Sequence, residues 1–158
     1  MDDKNKNKTV LFAASTGGHF EQLMMLRPLM EEYNGIVVTE KTKYGVNVKG
    51  LPVKYMIQVN RKELLFPFKM IGNAFKALGL LIKYKPYAVI TTGVLAMIPL
   101  AVMCKWFGAK LIYIESFAKI NSPNMTGKFL YKRADRFYVQ WEEMLKIYPN
   151  AVYVGGIY

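Results

Sequence analysis

Ser15-Thr16-Gly17-Gly18-His19 follows the first apolar run of the chain, Val10-Leu11-Phe12-Ala13-Ala14, and its reading decides the fold. The run at 10–14 reads as a buried strand, and residues 20–32 carry Leu23, Leu26 and Met30 at helical spacing. A strand, a glycine turn and a helix therefore meet at one point. Two adjacent glycines let the backbone turn tightly and leave N–H groups uncovered, and the helix start aims its positive dipole end at the same place. The arrangement suits an anion such as phosphate, with His19 at the mouth as phosphate donor or proton acceptor. It is neither a GxGxxG fingerprint nor a P-loop, since no Gly-Lys-Ser/Thr follows. On these residues alone it reads equally as a plain strand-to-helix corner whose His caps the helix.

Outward from this turn, strands and helices alternate. Residues 35–39 are continuous and β-branched, as a strand covered on both faces should be. Residues 40–50 carry Lys41, Lys43 and Lys49 with two glycines and read as an exposed loop or ragged helix. Further strands are expected at 53–59, at 87–92 ending in Thr92-Gly93, at 110–115 ending in Glu115, at 136–140 and at 151–154. Helices are expected at 96–107, stopped by Gly108, and at 127–134, capped by Thr126 after a loop over 116–126. A short helix from Trp141 ends before Pro149. The alternation predicts an α/β fold with a single Rossmann-like, doubly wound parallel sheet and a site where strands end and helices begin. Ser15, Thr16, Gly17, Gly18, Thr92 and Gly93 share that rim if their strands are neighbours. Glu115 is the clearest acid there, and it reads equally as a strand-end carboxylate that caps the next turn.

With 158 residues the chain is long enough for one domain, 9–158, preceded by a floppy polar tail at 1–8 that lacks the apolar core of a signal peptide. The 22 Lys and Arg exceed the 11 Asp and Glu, and the net charge of +11 points to an anionic partner. The hydrophobic content of 53% favours a membrane surface over nucleic acid as that partner. One Cys and one His exclude an internal disulfide and a zinc site of nitrogen and sulfur ligands, and no metal or cofactor is expected. The lone cysteine suits a reducing compartment. The uncharged run at 86–104 is broken by Thr91-Thr92-Gly93 and Pro99, so it is not read as a membrane span.

Residues 61–85 combine eleven large apolar side chains with six basic residues and one acid, Glu63. Pro67 opens a helix, and Lys69, Lys76 and Lys83 recur every seven residues, a spacing that drifts only about 20° per step. Lys62 continues the spacing upstream. Such a helix can pack one side into the domain and lay Leu65, Phe66 and Phe68 on a bilayer, with the lysines meeting lipid phosphates. The same pattern also describes an ordinary core helix with a solvated basic face.

The order of these features resembles a known family. Ser-Thr-Gly-Gly-His and Thr-Thr-Gly are followed by Tyr113-Ile114-Glu115-Ser116-Phe117-Ala118-Lys119, Ser122, Thr126-Gly127-Lys128, Ala134-Asp135 and Val139-Gln140-Trp141. This is similar to the bacterial polysaccharide-biosynthesis PssD and CpsF-like proteins, which resemble the membrane subunit of the eukaryotic transferase adding the second GlcNAc to a dolichol-linked oligosaccharide. The resemblance implies the N-terminal, acceptor-binding half of a split MurG-like GT-B glycosyltransferase of capsule or exopolysaccharide synthesis, peripheral on the cytoplasmic face of the membrane. A separate PssE-like chain would carry the UDP-sugar, and a polyprenyl-pyrophosphoryl saccharide would be the acceptor. By the same resemblance Gly17 and Gly18 receive the acceptor diphosphate, and His19 and Glu115 are the candidate catalytic pair. Residues 1–8 cannot supply the transmembrane helix with which eukaryotic relatives begin. The competing expectation is a non-catalytic membrane adaptor that recruits and stabilises the catalytic chain. A stand-alone sugar-nucleotide epimerase of related fold would need a second domain.

Overall fold

The computed structural model describes residues 3–43, 45–46, 48 and 50–157. Seven strands form one parallel sheet: β1 (Thr9–Ala13), β2 (Asn34–Glu40), β3 (Val53–Met56), β4 (Ala88–Thr91), β5 (Lys110–Ile114), β6 (Arg136–Val139) and β7 (Val152–Tyr153). Their order is β3-β2-β1-β4-β5-β6-β7. This is the Rossmann-like α/β sheet expected, and its order reverses between β1 and β4, where such sheets leave a crevice.

Six helices accompany the strands: α1 (Asp3–Lys6), α2 (Gly18–Met24), α3 (Arg27–Glu32), α4 (Phe66–Tyr84), α5 (Ile98–Met103) and α6 (Met125–Tyr131). Right-handed crossovers that leave β1 in opposite directions place helices on opposite faces. On one face Val10, Phe12, Val37 and Ile90 lie under Phe20, Leu23 and Met30 of α2 and α3. On the other, Leu11, Val38, Val89 and Leu111 meet Ala77 and Leu81 of α4, Leu100 of α5 and Leu130 of α6. Among the described residues no helix covers β5 and β6 on the α3 side. Ile112 and Tyr138 are only half-buried there, beside an apolar cavity of about 250 Å3 bounded by Leu26, Leu29, Ile114 and Ile157.

Several elements depart from the sequence expectation for local reasons. The single helix at 20–32 is two, α2 and α3, because Pro28 lacks the N–H a continuous helix would need and its ring would crowd the preceding turn. The strand at 53–59 stops at Met56, since the main chain of Ile57 exchanges hydrogen bonds of 2.7 and 2.9 Å with the Asn73 side chain instead of a strand. The helix at 96–107 is interrupted: 3-10 turns at Leu95–Met97 and Cys104–Phe107 flank α5, and Gly108, at φ 74°, ends the segment as expected.

Thr126 is not the cap of α6. Asn124 is, its Oδ1 accepting from Gly127 N at 2.5 Å. The short helix after Trp141 is a 3-10 turn, Glu142–Lys146, and the strands at 87–92, 110–115, 136–140 and 151–154 are one or two residues shorter than expected. The described residues between β2 and β3 form no helix. Asp3–Lys6, within the polar tail, makes one helical turn, and Asn5 Nδ2 donates to Glu32 Oε1 at 2.6 Å. Met1, Asp2, Lys49 and Tyr158 lie outside the described residues.

Candidate functional site

Strand register aligns the candidate residues. Ala13 is level with Thr91, and Thr91 with Tyr113, so the turns after β1, β4 and β5 stand side by side on the carboxyl edge of the sheet. Ser15, Thr16, Gly17, Gly18, His19, Thr92, Gly93 and Glu115 are therefore brought to one rim. They sit at the point where the strand order reverses.

The turn after β1 requires glycine. Gly17 adopts φ 78° and ψ −148°, and its carbonyl accepts from Phe20 N and Glu21 N at 2.8 and 3.1 Å. A Cβ on Gly17 or Gly18 would meet nothing within 4 Å, so the turn opens outward. The Gly18 and His19 amides make no hydrogen bond among the described residues. Gly93 turns the chain out of β4 at φ 92°, and a Cβ there would come within 2.8 Å of the Tyr113 hydroxyl.

His19 is half-buried between these turns, its carbonyl held by Thr92 Oγ1 at 3.0 Å. Its Nδ1 is buried and has no hydrogen-bond partner among the described residues. Burial pushes the imidazole below its ordinary value, with the Thr92 backbone acting weakly against it. A neutral imidazole can accept a proton from a substrate hydroxyl that reaches an accessible ring nitrogen, which the enclosed Nδ1 is not.

Glu115 occupies a different environment from His19. It is fully buried, and its carboxylate accepts from Ser116 N at 2.9 Å, Tyr113 Oη at 3.3 Å, Tyr148 Oη at 3.2 Å and the Asn124 side-chain amide. Burial raises its pKa, and these hydrogen bonds pull the other way. The carboxyl tyrosines respond in kind: burial and the neighbouring carboxylate push the hydroxyls of Tyr113 and Tyr148 upward. The main-chain oxygen of Glu115 is bracketed by Gln22 Nε2 at 3.2 Å and Gln140 Nε2 at 2.9 Å. Gln22 Oε1 also accepts from Phe117 N at 3.2 Å, and Trp141 Nε1 donates to the Phe117 carbonyl at 2.6 Å. Glu115 thus anchors the loop after β5 to the sheet, to α2 and to the cap of α6.

Gln22, Tyr113, Asn124 and Tyr148 carry this network, and sequence reasoning missed them as a site. A Gln on a helix or a Tyr in an apolar run carries no local sign of a buried partner. Glu40 was missed for the same reason. Buried at the end of β2 and raised in pKa by burial, it accepts from Val59 N at 3.3 Å and steadies the approach to α4.

Helix α4 opens with Pro67 in its first turn, as expected. It buries Asn73, Ala77 and Leu81, while Phe68, Ile71, Phe75 and Ile82 stay exposed on the opposite side, Phe68 at 71% and Phe75 at 70%. Leu64 and Leu65, just before the helix, are exposed at 96% and 60%. At 100° per residue Lys69, Lys76 and Lys83 fall on one flank of that apolar stripe. Lys69 pairs with Glu63, Lys76 Nζ donates to the Tyr55 carbonyl at 3.1 Å, and Lys83 lies over the Tyr84 ring at 5.4 Å. Lys62 is not on the helix, because Asn60 Oδ1 accepts from its amide at 3.0 Å and holds it in a turn. Phe66 turns inward and is half-buried. Among the described residues no helix is long and apolar enough to cross a membrane.

A family model described as "Oligosaccharide biosynthesis protein Alg14 like" matches residues 38–157. The chain belongs to the Alg14-like family. A protein of Yarrowia lipolytica named UDP-N-acetylglucosamine transferase subunit ALG14 is 27% identical over 177 residues, an alignment covering 96% of this chain and 82% of the relative. The human protein of the same name is 28% identical over 178 residues, covering 94% and 82%. A shorter stretch of 50 residues is 48% identical to the Kluyveromyces lactis subunit, covering 32% of this chain and 21% of the relative. Among solved structures, MurG of Acinetobacter baumannii matches the Alg14-like chain with a TM-score of 0.69 at 19% identity, covering 86% of this chain and 42% of MurG. The UDP complex of S. aureus MnaA matches with a TM-score of 0.71 at 12% identity, covering 95% and 44%. At these identities the likeness shows the fold, and the Alg14-like chain spans less than half of either solved chain.

Proposed function

We propose that this Alg14-like chain is the acceptor-binding, membrane-docking subunit of a two-chain glycosyltransferase. It would serve transfer from a UDP-sugar to a lipid-pyrophosphate-linked saccharide, in bacterial capsule or exopolysaccharide synthesis of the PssD and CpsF-like kind. The observation that carries the reading is the half-buried imidazole of His19 beside the open turn of Gly17 and Gly18, at the reversal of strand order. The acceptor would lie over Ser15, Thr16, Gly17 and Gly18 and beside Thr92 and Gly93, its diphosphate meeting the free amides of the turn. As the acceptor hydroxyl bonds to the anomeric carbon, the bond from that carbon to the UDP oxygen breaks, and His19 takes the hydroxyl proton. Glu115, enclosed by its donors, positions the loop after β5 and does not face the substrate.

A PssE-like partner chain would hold the donor. The relatives' own name, transferase subunit, supports a partner, and so does the sheet face only half-covered over β5 and β6, since parallel sheets are ordinarily covered on both faces. The apolar stripe of α4, flanked by Lys69, Lys76 and Lys83, supports peripheral docking on an anionic bilayer, and the single cysteine suits its cytoplasmic face. The test is transfer from a panel of labelled UDP-sugars to a polyprenyl-pyrophosphoryl sugar, with this chain alone, its partner alone and both together. Activity only with both is expected. Equal activity from the partner alone would reduce this chain to an adaptor.

A further inference from the structure

Beside the glycine rim, the segment after β3 and the loop after β5 stand apart around a cleft of about 860 Å3. Arg61 lies on one side and Lys119 on the other, with Phe66, Leu95 and Met125 between them. Arg61 Nη1 contacts Met125 Sδ at 2.7 Å. Neither cation has a carboxylate partner among the described residues, and Lys119 is half-buried. A partly desolvated charge without a counter-charge is costly, so the cleft favours an anion.

The surroundings of the cleft define that anion further. Leu95 comes two residues after Gly93, so one end of the cleft adjoins the rim. Phe66 is the first residue of α4, so the other end leads onto the exposed stripe of Phe68, Ile71 and Phe75. Two cations, apolar walls and an apolar exit together match an amphiphile with a phosphate head and a single long tail. A bilayer phospholipid shares the phosphate, but its head lies in the membrane plane and has no need of a channel to the rim.

We propose that this cleft seats the lipid-side phosphate and first isoprene units of a polyprenyl diphosphate, with the phosphate between Arg61 and Lys119 and the tail leaving along α4. The sugar end then extends towards Gly17 and Gly18. This rests on the acceptor reading above and refines it: the sugar-side phosphate keeps its place at the glycine turn, and the lipid-side phosphate, one bridging oxygen away, faces the cleft.

Farnesyl diphosphate is the probe, titrated calorimetrically into the full chain in detergent. Wild type is expected to bind it at least 10-fold more tightly than either inorganic pyrophosphate or farnesol. Arg61→Gln with Lys119→Gln is expected to weaken it at least 10-fold. Met125→Trp, which fills the cleft without changing charge, is expected to weaken it as well, with thermal melts confirming that both variants fold. Phosphatidylglycerol vesicles are expected to bind the double variant within 3-fold of wild type. Unchanged farnesyl diphosphate affinity in both variants would overturn the proposal. So would a 10-fold loss of vesicle binding with farnesyl diphosphate binding intact, which would make the cleft a phospholipid headgroup site. If the cleft binds the probe but the reconstituted pair transfers no sugar, the acceptor reading fails and the cleft stands. If the pair transfers sugar with an unchanged acceptor KM in the double variant, the cleft assignment fails alone.

Discussion

Thr92 Oγ1 donates to the main-chain oxygen of His19 at 3.0 Å, joining the turn after β4 to the turn after β1 across the reversal of strand order. Thr92 is fully buried, so Thr92→Val keeps the volume and removes this hydrogen bond between the two turns. The expected cost is about 1 kcal/mol in denaturant unfolding. The acceptor KM should rise more than the stability loss alone implies, because the tie positions His19. An unchanged KM would separate the tie from the site.

His19→Gln should lower kcat of the reconstituted pair by about 10²–10⁴-fold if His19 is the base, with little change in acceptor KM. Because burial holds the imidazole below its ordinary 6.5, the neutral form predominates at pH 7. The acid limb of the rate profile should therefore lie below pH 6.5, and it should vanish in the variant.

Glu115→Gln separates a positioning carboxylate from a catalytic one. The native pKa is raised above 4.5, so protons bind the folded state more tightly, and the stability this contributes is lost as pH rises from 4.5 through the native value. Unfolding measured across pH should show that slope in wild type and a flatter curve in the variant. Activity should stay within about 10-fold, whereas a general base would cost about 10²-fold or more.

Gly18→Ala and Gly17→Ala should behave differently. Both positions have open space above them, but only Gly17 has a positive φ, at 78°. Gly17→Ala should therefore lose about 1–3 kcal/mol of stability, since φ 78° with ψ −148° is a conformation essentially reserved to glycine. Gly18→Ala should fold like wild type and yet raise the acceptor KM, because its methyl projects where the diphosphate would sit.

Phe68→Ser with Phe75→Ser should detach the chain from neutral and anionic vesicles alike in flotation assays. Replacing Lys69, Lys76 and Lys83 by Gln should weaken anionic vesicles alone, by up to about 1 kcal/mol per lysine. Lys69 is neutralised by Glu63 and Lys76 is held by the Tyr55 carbonyl, whereas Lys83 has only the Tyr84 ring beneath it, which makes Lys83 the largest single contributor.

What the sequence made legible was set by local pattern. The strand, glycine turn and helix at 10–32 announced the fold, and a rim shared by Thr92-Gly93 and Glu115 followed once β1 and β4 proved to be neighbours. Pro28 and Asn73 divided elements that periodicity alone joins, because one lacks a donor and the other offers a side chain in place of a strand. The enclosure of Glu115 was hidden for a further reason. Gln22 and Tyr148 lie 93 and 33 residues away from it in sequence, and only packing brings them together. The cleft between Arg61 and Lys119 likewise joins two loops with no common motif.

The most direct measurement is the binding of two labelled ligands to this chain alone in lipid nanodiscs: a polyprenyl-pyrophosphoryl sugar and UDP-N-acetylglucosamine. The account predicts saturable binding of the lipid-linked sugar, lost in His19→Ala with Gly18→Ala, and no saturable binding of the nucleotide sugar. Tight binding of the nucleotide sugar with none of the lipid-linked sugar would contradict it, because the chain would then hold the donor.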